Sequence, residues 1–226
     1  DFTLENFIYV DKTVYIPQLV KLKRVFISRP RRFGKSLTLD TIATLFETGV
    51  EPYFKGTWIY DKWTEPTYPV LRLNFLNFDK NSLEKFNNKL NSKITEFAEL
   101  NQVTTYKEKE EAEDSIDHLL EQLRLEGRQI VILIDEYDCQ MTANINNESL
   151  YKQFQEKIKS IYANIKDKFA IKFLGITGVT RLKDVSIFSV GSDIRDITNS
   201  SAYSQMIGFT RDEIKKFYID YLKLAA

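Results

Sequence analysis

Five consecutive aliphatic residues, Ile130-Val131-Ile132-Leu133-Ile134, run directly into Asp135-Glu136-Tyr137-Asp138. A β-branched run without alternation has no polar face to turn toward solvent. It therefore reads as a strand covered on both sides, the situation of a parallel sheet between two layers of helices. Two further apolar segments, Val25-Phe26-Ile27-Ser28 and Phe169 to Ile176, read the same way, and Val70 to Phe75 reads as a strand with some alternation. Helical spacing separates them. It appears from about Lys35 to Phe46, through Leu83, Phe86, Leu90, Ile94 and Phe97, through Ile116, Leu119, Leu120 and Leu123 up to Gly127, and through Leu150, Phe154, Ile158 and Ile161. Thr210 to Leu224 predicts an amphipathic helix. Strands separated by helices imply parallel βαβ units, so the expected fold is α/β, with a mostly parallel sheet flanked by helices. A length of 226 residues suits one domain spanning 1–226.

Composition narrows the chemistry. Lys plus Arg is 32 and Asp plus Glu is 32, which argues against a uniformly basic nucleic-acid coat and leaves room only for a local patch. The single cysteine, Cys139, cannot form an intramolecular disulfide or a cysteine-based zinc site. The single histidine, His118, removes multi-histidine metal centres and is expected on the outside of a helix. No apolar run approaches a membrane span. The chain opens at Asp1 without a methionine, so it is expected to be a fragment, in a reducing, cytoplasmic setting.

Between the strand ending at Ser28 and the helix starting near Lys35 lies Arg29-Pro30-Arg31-Arg32-Phe33-Gly34-Lys35-Ser36. A loop of this kind at a strand-to-helix junction aims backbone N–H groups and a helix dipole at a phosphate. Arg32, Phe33, Gly34, Lys35, Ser36 and Leu37 are the candidate nucleotide contacts. Gly34 allows close backbone approach, Lys35 reaches the β- and γ-phosphates of ATP, and the Ser36 hydroxyl ligates Mg²⁺. The full phosphate-loop pattern asks for glycine at position 29, where arginine stands. Asp135, at the carboxyl end of the buried strand, suits the Mg²⁺-holding role, and Glu136 is placed to polarise the attacking water. At the end of a third strand, Thr177 is the candidate to hydrogen-bond that water or the γ-phosphate, with Thr180 second, and Arg181 is a candidate arginine in cis.

These segments resemble the AAA-ATPase-like family, predicted bacterial P-loop ATPases. The resemblance rests on Tyr9-Val10-Asp11-Lys12-Thr13, Ser28 to Ser36, Leu133 to Asp138, and Ile176-Thr177-Gly178-Val179-Thr180-Arg181. Ser186-Ile187-Phe188-Ser189, Asp196-Ile197-Thr198 and Gly208-Phe209-Thr210 follow in family order. It implies a P-loop NTPase core of the additional-strand type, an arginine at position 29 as the family's own form, and Tyr9 near the nucleotide base. It also implies a C-terminal PD-(D/E)XK nuclease-like domain in the full-length protein, expected to be absent here. The one (D/E)-x-Lys match, Glu213-Ile214-Lys215, falls on the predicted terminal helix, where i and i+2 point apart.

Lys21, Lys23, Arg24, Arg29, Arg31, Arg32 and Lys35 form a basic run with no acid among them, read as a cluster around the phosphate loop and a candidate contact for nucleic acid. Three functions stay open at this point: a Mg²⁺-dependent ATPase, a nucleotide-binding regulatory module with little turnover, and a nucleic-acid-binding module that positions a nuclease domain.

Overall fold

In the computed structural model, which describes residues 9–166, 168–180, 193–219 and 223, the predicted strands line up as one sheet. The elements in chain order are α1 (Ile16–Leu22), β1 (Arg24–Ser28), α2 (Lys35–Thr48), β2 (Val70–Asn74), α3 (Leu83–Leu100), α4 (Ala112–Leu125), β3 (Ile130–Asp135), α5 (Cys139–Ala143), α6 (Glu148–Ile165), β4 (Ile171–Gly178), β5 (Arg195–Asp196) and α7 (Arg211–Phe217). The five strands run in the order β2-β3-β4-β1-β5, and every pairing is parallel. The expected α/β architecture is present, and the sheet is parallel throughout. β4 lies between the strand that feeds the phosphate loop and the strand that ends in acids, which is the additional-strand arrangement of a P-loop core.

The continuous apolar run of β3 serves two cores at once. Ile130, Ile132 and Ile134 pack with Phe86, Leu90, Ile116, Leu119, Phe154 and Ile158 on the face covered by α3, α4 and α6. Val131 and Leu133 pack with Leu39, Ile42 and Phe46 of α2, and with Ile16 and Leu19 of α1, on the other. This is why the strand shows no period of two: neither face is free for a polar residue. Trp63 and Tyr68 close the second core with their rings edge-on to Phe46, at centroid distances of 5.1 and 5.9 Å.

Where three helices meet on the first face, a polar joint replaces apolar packing. Lys157 of α6 is buried and bonds Asn87 of α3 at 2.6 Å and Glu111, at the start of α4, at 2.5 Å. Asn87 also accepts the backbone N–H of Ala112. The charged stretch from Tyr106 to Asp114 runs into α4, which begins at Ala112. His118 is half-buried rather than fully exposed: its Nδ1 accepts the N–H of Lys107, and burial together with Lys109 and Lys107 holds its pKa below the usual value.

The third strand runs from 171 to 178, not from 169 to 176. Phe169 is an exposed turn residue whose carbonyl accepts the Gln129 side chain, and the strand continues to carry Thr177 and Gly178 to its carboxyl end. α7 occupies 211–217 of the predicted terminal helix, and residues 220–222 and 224–226 lie outside the described ones. α1, α5 and β5 were not legible as elements, being five to seven residues long or shorter.

Gly178 is needed for close packing. A Cβ there would stand 2.4 Å from two ring atoms of the fully buried Tyr137 and 2.8 Å from Asp138 Oδ1. Gly178→Ala should therefore lower stability by about 1–3 kcal/mol, as overpacked cores do. A fall in the urea midpoint with an unchanged m-value checks this, and an unchanged midpoint would show that the ring has room to move.

Candidate nucleotide site

β1 ends at Ser28, and the chain turns through Arg29 to Gly34 before α2 begins at Lys35. Two residues of the turn need positive φ: Gly34 at 91° and Arg32 at 66°. Glycine reaches that region without strain, which explains position 34. Position 29 does not need it. Arg29 donates its backbone N–H to Gly178 O at 3.2 Å, and its guanidinium turns aside to bond Ser28 O at 3.0 Å and Thr198 O at 2.5 Å. Thr198 completes the tie by accepting the N–H of Ser28 through its hydroxyl at 2.9 Å, and Ser28 Oγ donates to Val179 O. The residue that departs from the phosphate-loop pattern thus fastens the start of the loop to the segment after β5.

Lys35 is 3% exposed, yet its ammonium is fully engaged. It donates to Arg29 O at 3.0 Å and Pro30 O at 3.3 Å, and lies 3.3 Å from Glu136 Oε1. Ser36 Oγ donates to Asp135 Oδ2 at 2.6 Å. The other carboxylate oxygen of Asp135 accepts from the Thr177 hydroxyl and, at 3.1 Å, from the N–H of Glu136. Glu136 itself sits at φ 53°, a left-handed conformation uncommon for a non-glycine residue. Tyr137 and Asp138 lock the turn that follows. Tyr137 OH bonds Thr180 O at 3.1 Å, and the buried Asp138 accepts the N–H groups of Val179 and Thr180 at 3.1 and 2.5 Å.

The sequence-derived candidates Gly34, Lys35, Ser36, Asp135, Glu136 and Thr177 therefore converge from β1, α2, β3 and β4. Thr177 has no exposure and donates its hydroxyl hydrogen bond to Asp135. Arg181 and the segment Ser186 to Ser189 lie outside the described residues. Ser36 Oγ and Asp135 are hard oxygen donors side by side, which suits Mg²⁺, an ion that keeps several waters and takes few protein ligands. Among the described residues no group of three His, Cys, Asp or Glu side chains is placed to hold a metal.

Beside the loop opens a cavity of about 490 Å³, lined largely by apolar groups. Tyr9, Phe33 and Leu37 form part of its wall, as do Thr41, Met206 and Phe209. Burial, then the Asp11 carboxylate, pushes the Tyr9 phenol up, against the pull of a hydrogen bond with Thr41. Met206 to Phe209 carried no signal of site membership beyond the Gly-Phe-Thr resemblance. Thr210 and Glu213 form a capping box at the start of α7, and Glu213 also meets Lys12 at 2.5 Å. Glu213 thus ties the start of α7 to Lys12 at the cavity wall.

The basic run divides. Arg29 to Lys35 lie at the carboxyl end of β1, while Lys21, Lys23 and Arg24 lie at its amino end, about 13 Å away by the rise of a strand. The cluster expected around the phosphate loop is therefore only its second half. Cys139, next to the acidic motif, is buried, and burial pushes its thiol up, as for an inert packed cysteine.

A family description, Predicted AAA-ATPase, matches residues 1–188. An uncharacterised protein of the vnfD 5′ region of Azotobacter chroococcum mcd 1 is 33% identical over 242 residues, covering 96% of this chain and 45% of that protein. The chain thus spans about half the length of this relative. No solved structure matches the chain. The chain belongs to the predicted AAA-ATPase family.

Thr198→Val should leave the buried N–H of Ser28 without its acceptor and cost about 1–3 kcal/mol. Thr198→Ser should recover most of that. Urea denaturation of both variants is the check, and equal losses would show that shape rather than the hydroxyl matters.

Proposed function

We propose that this member of the predicted AAA-ATPase family binds ATP with Mg²⁺ and hydrolyses it. The observation that carries the reading is the 2.6 Å hydrogen bond from Ser36 to Asp135, which brings the phosphate-loop helix and the acidic strand end to one point. Backbone N–H groups at the start of α2 receive phosphate oxygens, and Lys35 moves from the loop carbonyls onto the β- and γ-phosphates. Ser36 and Asp135 would hold Mg²⁺, which would neutralise charge on the phosphates. Thr177 keeps Asp135 oriented. Glu136, parted from Lys35, accepts the proton of the attacking water. The base occupies the apolar cavity beside Tyr9, Phe33 and Leu37, while Arg32 stands exposed at the top of the loop. A nuclease-like domain of the PD-(D/E)XK kind, in the part of the full-length protein outside this chain, is the unit whose movement hydrolysis would drive.

One observation favours a slower, regulatory module: Glu136 is held by Lys35 and stands in a left-handed backbone. Turnover decides between the two. Among the described residues no helix is long and apolar enough to cross a membrane.

Lys35→Ala should abolish ATP binding by calorimetry or weaken it by about a hundredfold or more, since a charge-assisted contact is worth about 1.5–3 kcal/mol and Lys35 makes several. Unchanged affinity in the folded variant would remove the loop from nucleotide binding. Glu136→Gln should bind ATP normally and release phosphate about 10²–10⁴-fold more slowly. Equal rates for variant and parent would exclude Glu136 as the base, and ATP binding without measurable parental turnover would establish the regulatory module.

A further inference from the structure

At the end of the sheet opposite the phosphate loop, a second concavity of about 610 Å³ is lined by Lys21, Lys23, Arg24, Lys168 and Lys172, with Glu65 the one acid and Phe169 the one aromatic ring. We propose that this concavity binds single-stranded nucleic acid, with phosphates on Lys21 and Lys23 and a base stacked on Phe169.

Three of the cations are already answered. Arg24 pairs with Asp193 at 2.9 Å, Lys172 with Glu65 at 2.7 Å, and Lys168 with Asp117. Lys21 and Lys23 are exposed and make no ion pair among the described residues, so their charge is unspent. Lys23 also occupies a costly backbone. It follows α1 at φ 64° and ψ −43°, held by its N–H to Val20 O and its carbonyl from Leu174 N. Glycine would relieve that strain; a lysine there places its side chain on the rim from a backbone fixed at both ends.

Phe169 supplies the second requirement. It is 69% exposed, although it stands only two residues before a buried strand. Its turn is fixed by Gln129 on its carbonyl at 2.8 Å and by Ile130 N–H on Ala170 O at 2.8 Å. An exposed ring carried on a fixed turn among cations matches the alternation of base and phosphate in a single strand, where stacking is indifferent to sequence. An acidic peptide would use the lysines and leave the ring unmatched. A duplex, with its bases already stacked, offers no free base face.

The test is fluorescence anisotropy of labelled oligo(dT) and oligo(U) with the folded chain at low salt, followed over rising salt. Binding of either oligomer is expected, undisturbed by excess MgATP. The double variant Lys21→Ala/Lys23→Ala should flatten the log–log salt slope by about 1.4, two phosphate contacts at about 0.7 each. Phe169→Ala should weaken binding about tenfold at an unchanged slope, and Phe169→Trp should restore it. Urea midpoints close to the parent's confirm that the variants are folded. The proposal is overturned by absence of binding at low salt, by a slope that the lysine variant leaves unaltered, or by displacement by poly-glutamate or a duplex as readily as by the unlabelled single strand. Loss of binding in Arg31→Ala/Arg32→Ala with retention in the lysine variant would overturn it too, moving the contact to the phosphate loop.

Discussion

The site hangs on one carboxylate. Asp135 leaves the buried strand β3 nearly without exposure, and a charge so placed persists only when its oxygens are answered by donors. Three donors answer it, and each comes from a different stretch of chain: the Ser36 hydroxyl from α2, the Thr177 hydroxyl from β4, and the N–H of Glu136 from the turn just beyond. The register of the sheet makes this work, since β4 pairs beside β3 and brings its last residues level with the strand end. The same bonds that satisfy a buried anion thus set the spacing between the loop helix and the acidic turn. Stability and site geometry are one arrangement here.

The loop illustrates how a pattern can lose a residue without losing its form. The glycine usual at its first position is replaced by an arginine whose side chain leaves the loop and ties it to Thr198. The true conformational need falls on Gly34, which stays glycine, and on Arg32, which accepts a left-handed backbone. α2 is in turn pressed onto the sheet where Gly175 leaves space: a Cβ there would lie 2.9 Å from Leu133 and 3.2 Å from Leu39.

What could be read in the chain follows from local physics. The unbroken apolar run of β3 announced a two-sided sheet because burial on both faces erases periodicity, and the long amphipathic helices α3, α4 and α6 announced themselves by spacing. The loop and the acidic strand end were legible because their chemistry requires neighbouring residues. The errors have equally local causes. Phe169 looked like strand because apolar residues do, while a turn bond to its carbonyl exposes it. The basic run looked like one cluster because adjacency in sequence hides the length of a strand, which sends Lys21 and Arg29 to opposite ends of the sheet. The cavity wall from Met206 to Phe209 had no periodic signature at all.

The ion pair between Lys12 and Glu213 joins residues 201 positions apart. Synthesis delivers chains amino end first, and contacts across long separations form late in folding. Every contact described for the phosphate loop is complete once residue 198 has been made. The cavity beside it lacks a wall until Met206 to Phe209 and the capped start of α7 arrive. The two halves of the pocket are therefore drawn from segments that follow one another along the chain, the loop and its acidic neighbours first and the wall from Met206 to Phe209 last.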